Sequence, residues 1–318
     1  MKSKKIVIAG GSGFIGQYLA QYFSTANQVV ILSRQLPVVQ NNAYGLQQMQ
    51  ANKNILWVKW SGIDGGEWEQ VIEGADLLIN LAGKSVNCRY TEANKQAIFD
   101  SRTLSTIALG QAVAKAVHPP KVWINASSAT IYRHATDRPQ NELNGDIEND
   151  FSVQVCKHWE QAFFDAPGTT TRKIALRMAI TLGKGGVMVP YCNLVKWGLG
   201  GKHGSGKQMF SWVHIYDVGR AVEFIFTNTQ MQGVYNVSSP NPVTNATFMQ
   251  QVRNTLGVPF GLPATKGMLA LGAWALGTET ELLLKSRWVV PTRLQQAGFT
   301  FAYTTVPLAL QNIMQGGQ

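Results

Sequence analysis

The sequence predicts a doubly wound α/β fold: a parallel sheet covered by helices on both faces, with a smaller, mostly helical C-terminal lobe. Three observations lead there. Short β-branched runs alternate with helical patterns through the first half of the chain, as in strand–crossover–strand units. A length of 318 residues, 45% hydrophobic and 14% charged, provides for one large α/β body and a smaller second one. A glycine-rich turn, "GGSGFIG", closes the first strand and opens the first helix.

Taken in order, the strands are "KIVIAG", "QVVILSR", "NILWVKW", "DLLINLAG", "KVWINASS" and "RKIALRMA". Between the first two, Ile15, Leu19, Tyr22 and Phe23 share one helix face. From Thr181 the texture changes to the irregular "GKGG" and "WGLGGKHGSGKQ". Then "FSWVHIYDVGRAVEFIF" resumes a strand–helix pattern and "GVYNVSS" adds a strand. A helix follows "PNPVTN", with Thr244 or Asn245 as its N-cap, and the remainder reads as a helical lobe ending in "PLALQNIM". Residues 1–180 therefore form the large domain, 213–239 return to it, and 181–212 with 240–318 make the substrate lobe. No flexible linker separates them.

The charge balance excludes some classes. Twenty-eight Lys and Arg against 18 Asp and Glu give +10, but no basic block exceeds "KSKK" and no helix carries a basic stripe with interleaved aromatics. Nucleic-acid binding is not expected; the excess suits an anionic cofactor or substrate. Cys88, Cys156 and Cys192 are far apart, without metal-ligand spacing, and point to a reducing compartment. The basic start leads into glycines after Ala9 rather than a cleavage site, and no stretch approaches the roughly 20 apolar residues of a membrane span. A cytoplasmic protein without metal or membrane partner is the expectation; the oligomeric state is left open.

The glycine turn fits both Gly11-x-Gly13-x-x-Gly16 and Gly10-x-x-Gly13-x-x-Gly16. Glycines there turn the chain sharply, bring backbone N–H groups against a diphosphate and seat the helix on the strand. The predicted contacts are Gly10, Gly11, Ser12, Gly13, Phe14, Ile15 and Gly16 of a Rossmann dinucleotide site. At the end of the second strand, a site for NAD would carry Asp or Glu; this chain has Ser33 and Arg34. A guanidinium grips a 2′-phosphate that a carboxylate would repel, so NADP is predicted over NAD. The fourth strand ends in "NLAG", where Leu81, Ala82 and Gly83 let the cofactor cross the sheet edge; Lys84 and Arg89 follow as candidate phosphate or substrate contacts.

With "SRTLST", "SSATIY", "GSGKQMFSWVHIYD", "PNPVTN" and "VVPTRLQQAGFTF", these motifs resemble the extended short-chain dehydrogenase/reductase superfamily. The chain looks most like its atypical "epimerase family" branch of NAD(P)-dependent epimerases and dehydratases, over nearly the whole length. The resemblance implies that Ser128 is the catalytic-type hydroxyl, acting with a Tyr-x-x-x-Lys on the next helix. That pair is missing: Lys157 is preceded at four residues by Val153, and sliding by one pairs Ser152 with Cys156. Losing a positioned general acid costs about 10²–10⁴ in rate. Tyr132, four residues after Ser128, is the nearest phenol and the second catalytic candidate; His158 is a further one, while His214 and Asp217 read as scaffold.

"GKHGSGKQ" mimics a phosphate-binding P-loop, but Gln208 stands where Ser or Thr would ligate magnesium. Its glycines, with Lys196, Lys202 and Lys207, instead suggest a loop over the cleft favouring an anionic substrate. Two functions follow. One is an NADP-dependent oxidoreductase or epimerase on a small polar, nucleotide-sugar-like substrate, with non-standard proton transfer. The other is a catalytically inactive NADP-binding sensor or scaffold.

Overall fold

The computed structural model describes residues 1–36, 52–167, 170–269, 277 and 279–315. In chain order the elements are β1 (Lys5–Ala9), α1 (Phe14–Ser24), β2 (Gln28–Ser33), β3 (Ile55–Lys59), β4 (Leu77–Asn80), α2 (Glu92–Lys115) and β5 (Val122–Ser128). There follow α3 (Phe151–Phe164), β6 (Arg172–Met178), β7 (Ile180–Leu182), α4 (Met188–Lys196), β8 (Met209–Phe210) and β9 (Trp212–His214). The chain continues through α5 (Ile215–Thr227), β10 (Gly233–Val237), β11 (Val243–Thr244), α6 (Asn245–Thr255), α7 (Glu281–Leu284), α8 (Thr292–Gln296) and α9 (Val306–Gln315).

Seven strands form one sheet in the order β10-β6-β5-β4-β1-β2-β3. Every pairing in it is parallel. The physical cause is legible in β1, where Ile6, Val7, Ile8 and Ala9 are all fully buried. Only a strand covered on both faces buries consecutive side chains. The pleat sends them to opposite sides. Ile6 and Ile8 pack with Leu19 and Phe23 of α1 and Val218 and Val222 of α5. Val7 and Ala9 pack with Ala108, Leu109 and Val113 of α2 and Phe163 of α3. This is the doubly wound Rossmann fold the sequence predicts.

A third core, with Met188, Tyr191 and Val195 of α4, Phe248 and Val252 of α6 and Leu310 and Ile313 of α9, builds the smaller, helical lobe. Thr244 caps α6, its hydroxyl accepting from the Thr247 amide at 3.2 Å. Part of the predicted lobe, 270–276, 278 and 316–318, lies outside the described residues. Strand β10 sits at the edge of the main sheet beside β6, and α5 packs against α1. No helix among the described residues is long and apolar enough to cross a membrane.

Candidate functional site

The crossover direction reverses between β1 and β4, opening a crevice at the carboxyl ends of those strands. The glycine turn lies there. Gly10 has φ +75°, and a Cβ on it would meet the backbone of Leu81 and Ala82 at 2.8 Å, so this glycine joins two strand ends. A Cβ on Gly16 would sit 2.6 Å from Gly11 Cα, which seats α1 on the turn. Gly13 differs: its Cβ would touch nothing nearer than the Gly10 carbonyl at 3.5 Å. Ser12 and Gly13 are exposed, Phe14 and Ile15 half-buried. No side chain caps α1 and its first turn carries no acid, so the amide dipoles face open space. A dinucleotide diphosphate fits this cradle.

At the end of β2, Ser33 is buried, and its hydroxyl donates to the Gln35 carbonyl at 2.9 Å and lies 3.3 Å from Ser12 Oγ. Arg34 beside it is exposed and forms no ion pair among the described residues. Across the crevice, buried Asn80 shapes the "NLAG" turn. Its side-chain amide donates to Asn125 Oδ1 (2.7 Å) and Thr106 Oγ1 (3.0 Å), and its carbonyl accepts from the Ala82 amide (3.0 Å). Leu81 and Ala82 are half-buried and Gly83 is exposed. Lys84 is held by Asn94 at 2.8 Å, whereas Arg89 pairs with Glu279 at 3.6 Å and so ties this loop to the C-terminal region.

The two serines closing β5 have different fates. Ser127 is buried and donates to Glu160 Oε1 at 2.6 Å. Ser128 is partly accessible, its oxygen accepting from the Thr130 amide at 3.2 Å. Tyr132 is buried in the core rather than placed at the crevice. Its hydroxyl donates to Asn236 (3.0 Å) and accepts from Arg177 (3.0 Å), and burial pushes the phenol pKa up. Arg177 in turn grips Glu160 through two bonds of 2.8 and 2.7 Å. A phenol so committed is a structural hydrogen-bonding group.

On α3, Ser152 and Cys156 occupy the inward register, and Lys157 points to solvent. Burial pushes the Cys156 thiol up to about 12, so it stays protonated and unreactive. His158 is exposed against Phe99 in an outer groove between α2 and α3. His214 caps α5 through Nδ1 and is buried, which pulls its pKa down to about 4. Asp217 accepts from the amides of Ala302 (2.8 Å) and Tyr303 (2.9 Å), pinning the terminal segment. Lys202 and Lys207 are exposed, while His203 and Gln208 of the same loop turn inward.

Sequence reasoning missed Arg102 on α2. Its guanidinium lies against Gly83, where a Cβ would be 3.1 Å from Cζ, and over the Trp159 ring at 5.1 Å. The only signal was its place in "SRTLST", which does not reveal which side of a helix faces a crevice.

Fold and crevice together define a Rossmann-type protein whose first strand–helix turn is built for a diphosphate. The NAD dependent epimerase/dehydratase family model matches residues 6–154, and a domain of unknown function, DUF1731, matches 268–313. The Bacillus subtilis epimerase family protein YfhF is 30% identical over 310 residues, 97% of each chain. The mouse epimerase family protein SDR39U1 is 28% identical across 98% of this chain and 99% of its own. The structure of human epimerase family protein SDR39U1 (isoform 2) with NADPH superposes with a TM-score of 0.81 at 27% identity, over 98% of this chain and 99% of that one. A Bacillus anthracis dTDP-glucose 4,6-dehydratase shares the fold, with a TM-score of 0.77 at 17% identity over 98% and 96% of the chains. The chain belongs to the epimerase family, an atypical branch of the extended short-chain dehydrogenases/reductases.

Proposed function

We propose that the protein is an NADP-dependent oxidoreductase or epimerase-like enzyme acting on a small polar, nucleotide-sugar-like substrate. The observation that carries this reading is the open cradle of Ser12 and Gly13, with Arg34 and no carboxylate at the adjoining strand end. The amides at the start of α1 hold the diphosphate and Arg34 the 2′-phosphate; Leu81, Ala82 and Gly83 line the path of the nicotinamide half, and Lys84 stands beside it. A human relative solved with NADPH supports the choice of dinucleotide. When bound, the nicotinamide supplies hydride chemistry.

The chain's own contribution is orientation and proton handling. Ser128 offers the accessible hydroxyl at the end of β5, where it orients the substrate oxygen. Because Ser152 and Cys156 fill the inward register of α3, protons must come from a group off that helix or from water. Those two residues also favour the second reading, an inactive NADP-binding sensor. Mixing the protein with NADPH and a carbonyl panel, and following the reduced-nicotinamide absorbance, separates them. Turnover lost in Ser128→Ala supports the enzyme; tight binding without turnover on any compound supports the sensor.

A further inference from the structure

Four cationic side chains surround the inward face of α3, Arg177 in its pair with Glu160 among them, and one lacks a carboxylate. Lys285 meets Asp150 at 2.6 Å. Arg287, whose Nε donates to Thr130 Oγ1 at 3.1 Å, lies in the fields of Glu281 and Asp150. Arg102 has neither. Among the described residues its side chain's one hydrogen bond is from Nη1 to the Ile98 carbonyl at 3.0 Å, and its electrostatic neighbours are Cys156 and Tyr90, both uncharged at neutral pH. The Trp159 ring and Gly83 hold the guanidinium at the lip of the turn after β4. Burial lowers its pKa, the mark of a cation whose desolvation no partner offsets.

Tyr90 completes the picture. It enters from the loop after β4, packs edge-on against Phe151 of α3 at 4.9 Å and reaches Ser152. Ser152 is the polar neighbour of its buried hydroxyl, but no hydrogen bond of normal geometry forms there among the described residues. A buried hydroxyl without a well-placed acceptor is costly until something accepts from it. Burial pushes the phenol pKa up, which keeps it protonated and a donor.

We propose that Arg102 and the Tyr90 hydroxyl form an oxyanion subsite beside Ser152 and Cys156, holding a carboxylate or phosphate group of the substrate. A guanidinium fork matches either group in two hydrogen bonds, and a phenol adds a third. The site turns the overall positive balance of the chain into one local attraction. It deepens the proposed activity and rests on it for the identity of the crevice as a reaction site.

The test is a calorimetric titration of the full chain, free and saturated with NADPH, using oxalate and inorganic phosphate as probes. At least one probe binds in both states, and a preference between them names the group. Arg102→Met weakens that binding about 10- to 100-fold, Arg102→Lys less, and Tyr90→Phe about 3- to 10-fold, with unfolding midpoints close to the parent. If Arg102→Met fails to fold, Arg102→Lys and Tyr90→Phe decide. The inference falls if the parent binds neither probe, if the variants bind as tightly as the parent, or if NADPH abolishes the anion heats. Failure of NADPH itself to bind removes the cofactor reading, while the anion titrations of the free protein still judge this one.

Discussion

The crevice has two walls built on different logic. On the β1–β2 side, function rests on backbone: glycines that permit a turn and a helix end left uncapped. On the β5–α3 side, side chains dominate, and most are already engaged with one another. Ser127, Glu160, Arg177, Tyr132 and Asn236 form one buried chain of hydrogen bonds. Among the described residues, the Ser128 hydroxyl accepts from one amide and the Arg102 guanidinium donates to one carbonyl, which sets them apart from that chain. The first wall is an open backbone cradle with Arg34 at its edge; the second is a locked polar core with Ser152 and Cys156 on the inward register of α3.

Four changes separate the walls, in falling order of effect. Glu160→Ala leaves Arg177 buried without its carboxylate and costs about 3–5 kcal/mol, read as a shift in the urea midpoint, because breaking a buried pair strands a charge. If that loss stays below about 1 kcal/mol, the second wall is not locked as described.

Acid should act next, through His214. Its folded pKa, about 4, lies below the unfolded value near 6.5, so the unfolded chain binds more protons between the two. Stability is full above about pH 6.5 and falls as pH drops towards 4, by about 3 kcal/mol from this group. Denaturant midpoints measured across that range should slope accordingly, and less so in His214→Asn.

Gly13→Ala sharpens the first wall. The added methyl meets no close neighbour within the protein but enters the open cradle. Unfolding should move by under about 1 kcal/mol while NADPH affinity falls about 10-fold or more. Equal affinity would mean that the diphosphate rests elsewhere. The smallest effect on any ligand is that of Tyr132→Phe, which removes two hydrogen bonds and costs about 1–2 kcal/mol of stability, with any turnover unchanged per folded molecule.

The difference between the walls also explains what the sequence disclosed. Contiguous apolar runs made the strands of the sheet readable, and "GGSGFIG" carries its physics within seven adjacent residues. The second wall is assembled from α2, α3, β6, β10 and the terminal region, so adjacency in sequence misleads. Tyr132 lies four residues from Ser128 yet points into the core, because Asn236 and Arg177 take its hydroxyl. Arg102 sits in a long helix with little amphipathic contrast, where an inward arginine reads like a solvated one. Lys202 and Lys207 share a loop with buried His203 and Gln208, an alternation that an irregular segment does not announce.

The central claim is that the backbone wall holds a phosphorylated dinucleotide through the cradle and Arg34. Calorimetric titration of the protein and of Arg34→Ala with NADPH and with NADH tests it most directly. The account predicts NADPH at least about 10-fold tighter than NADH, with the gap closing in Arg34→Ala. Equal affinities in the parent protein would contradict it.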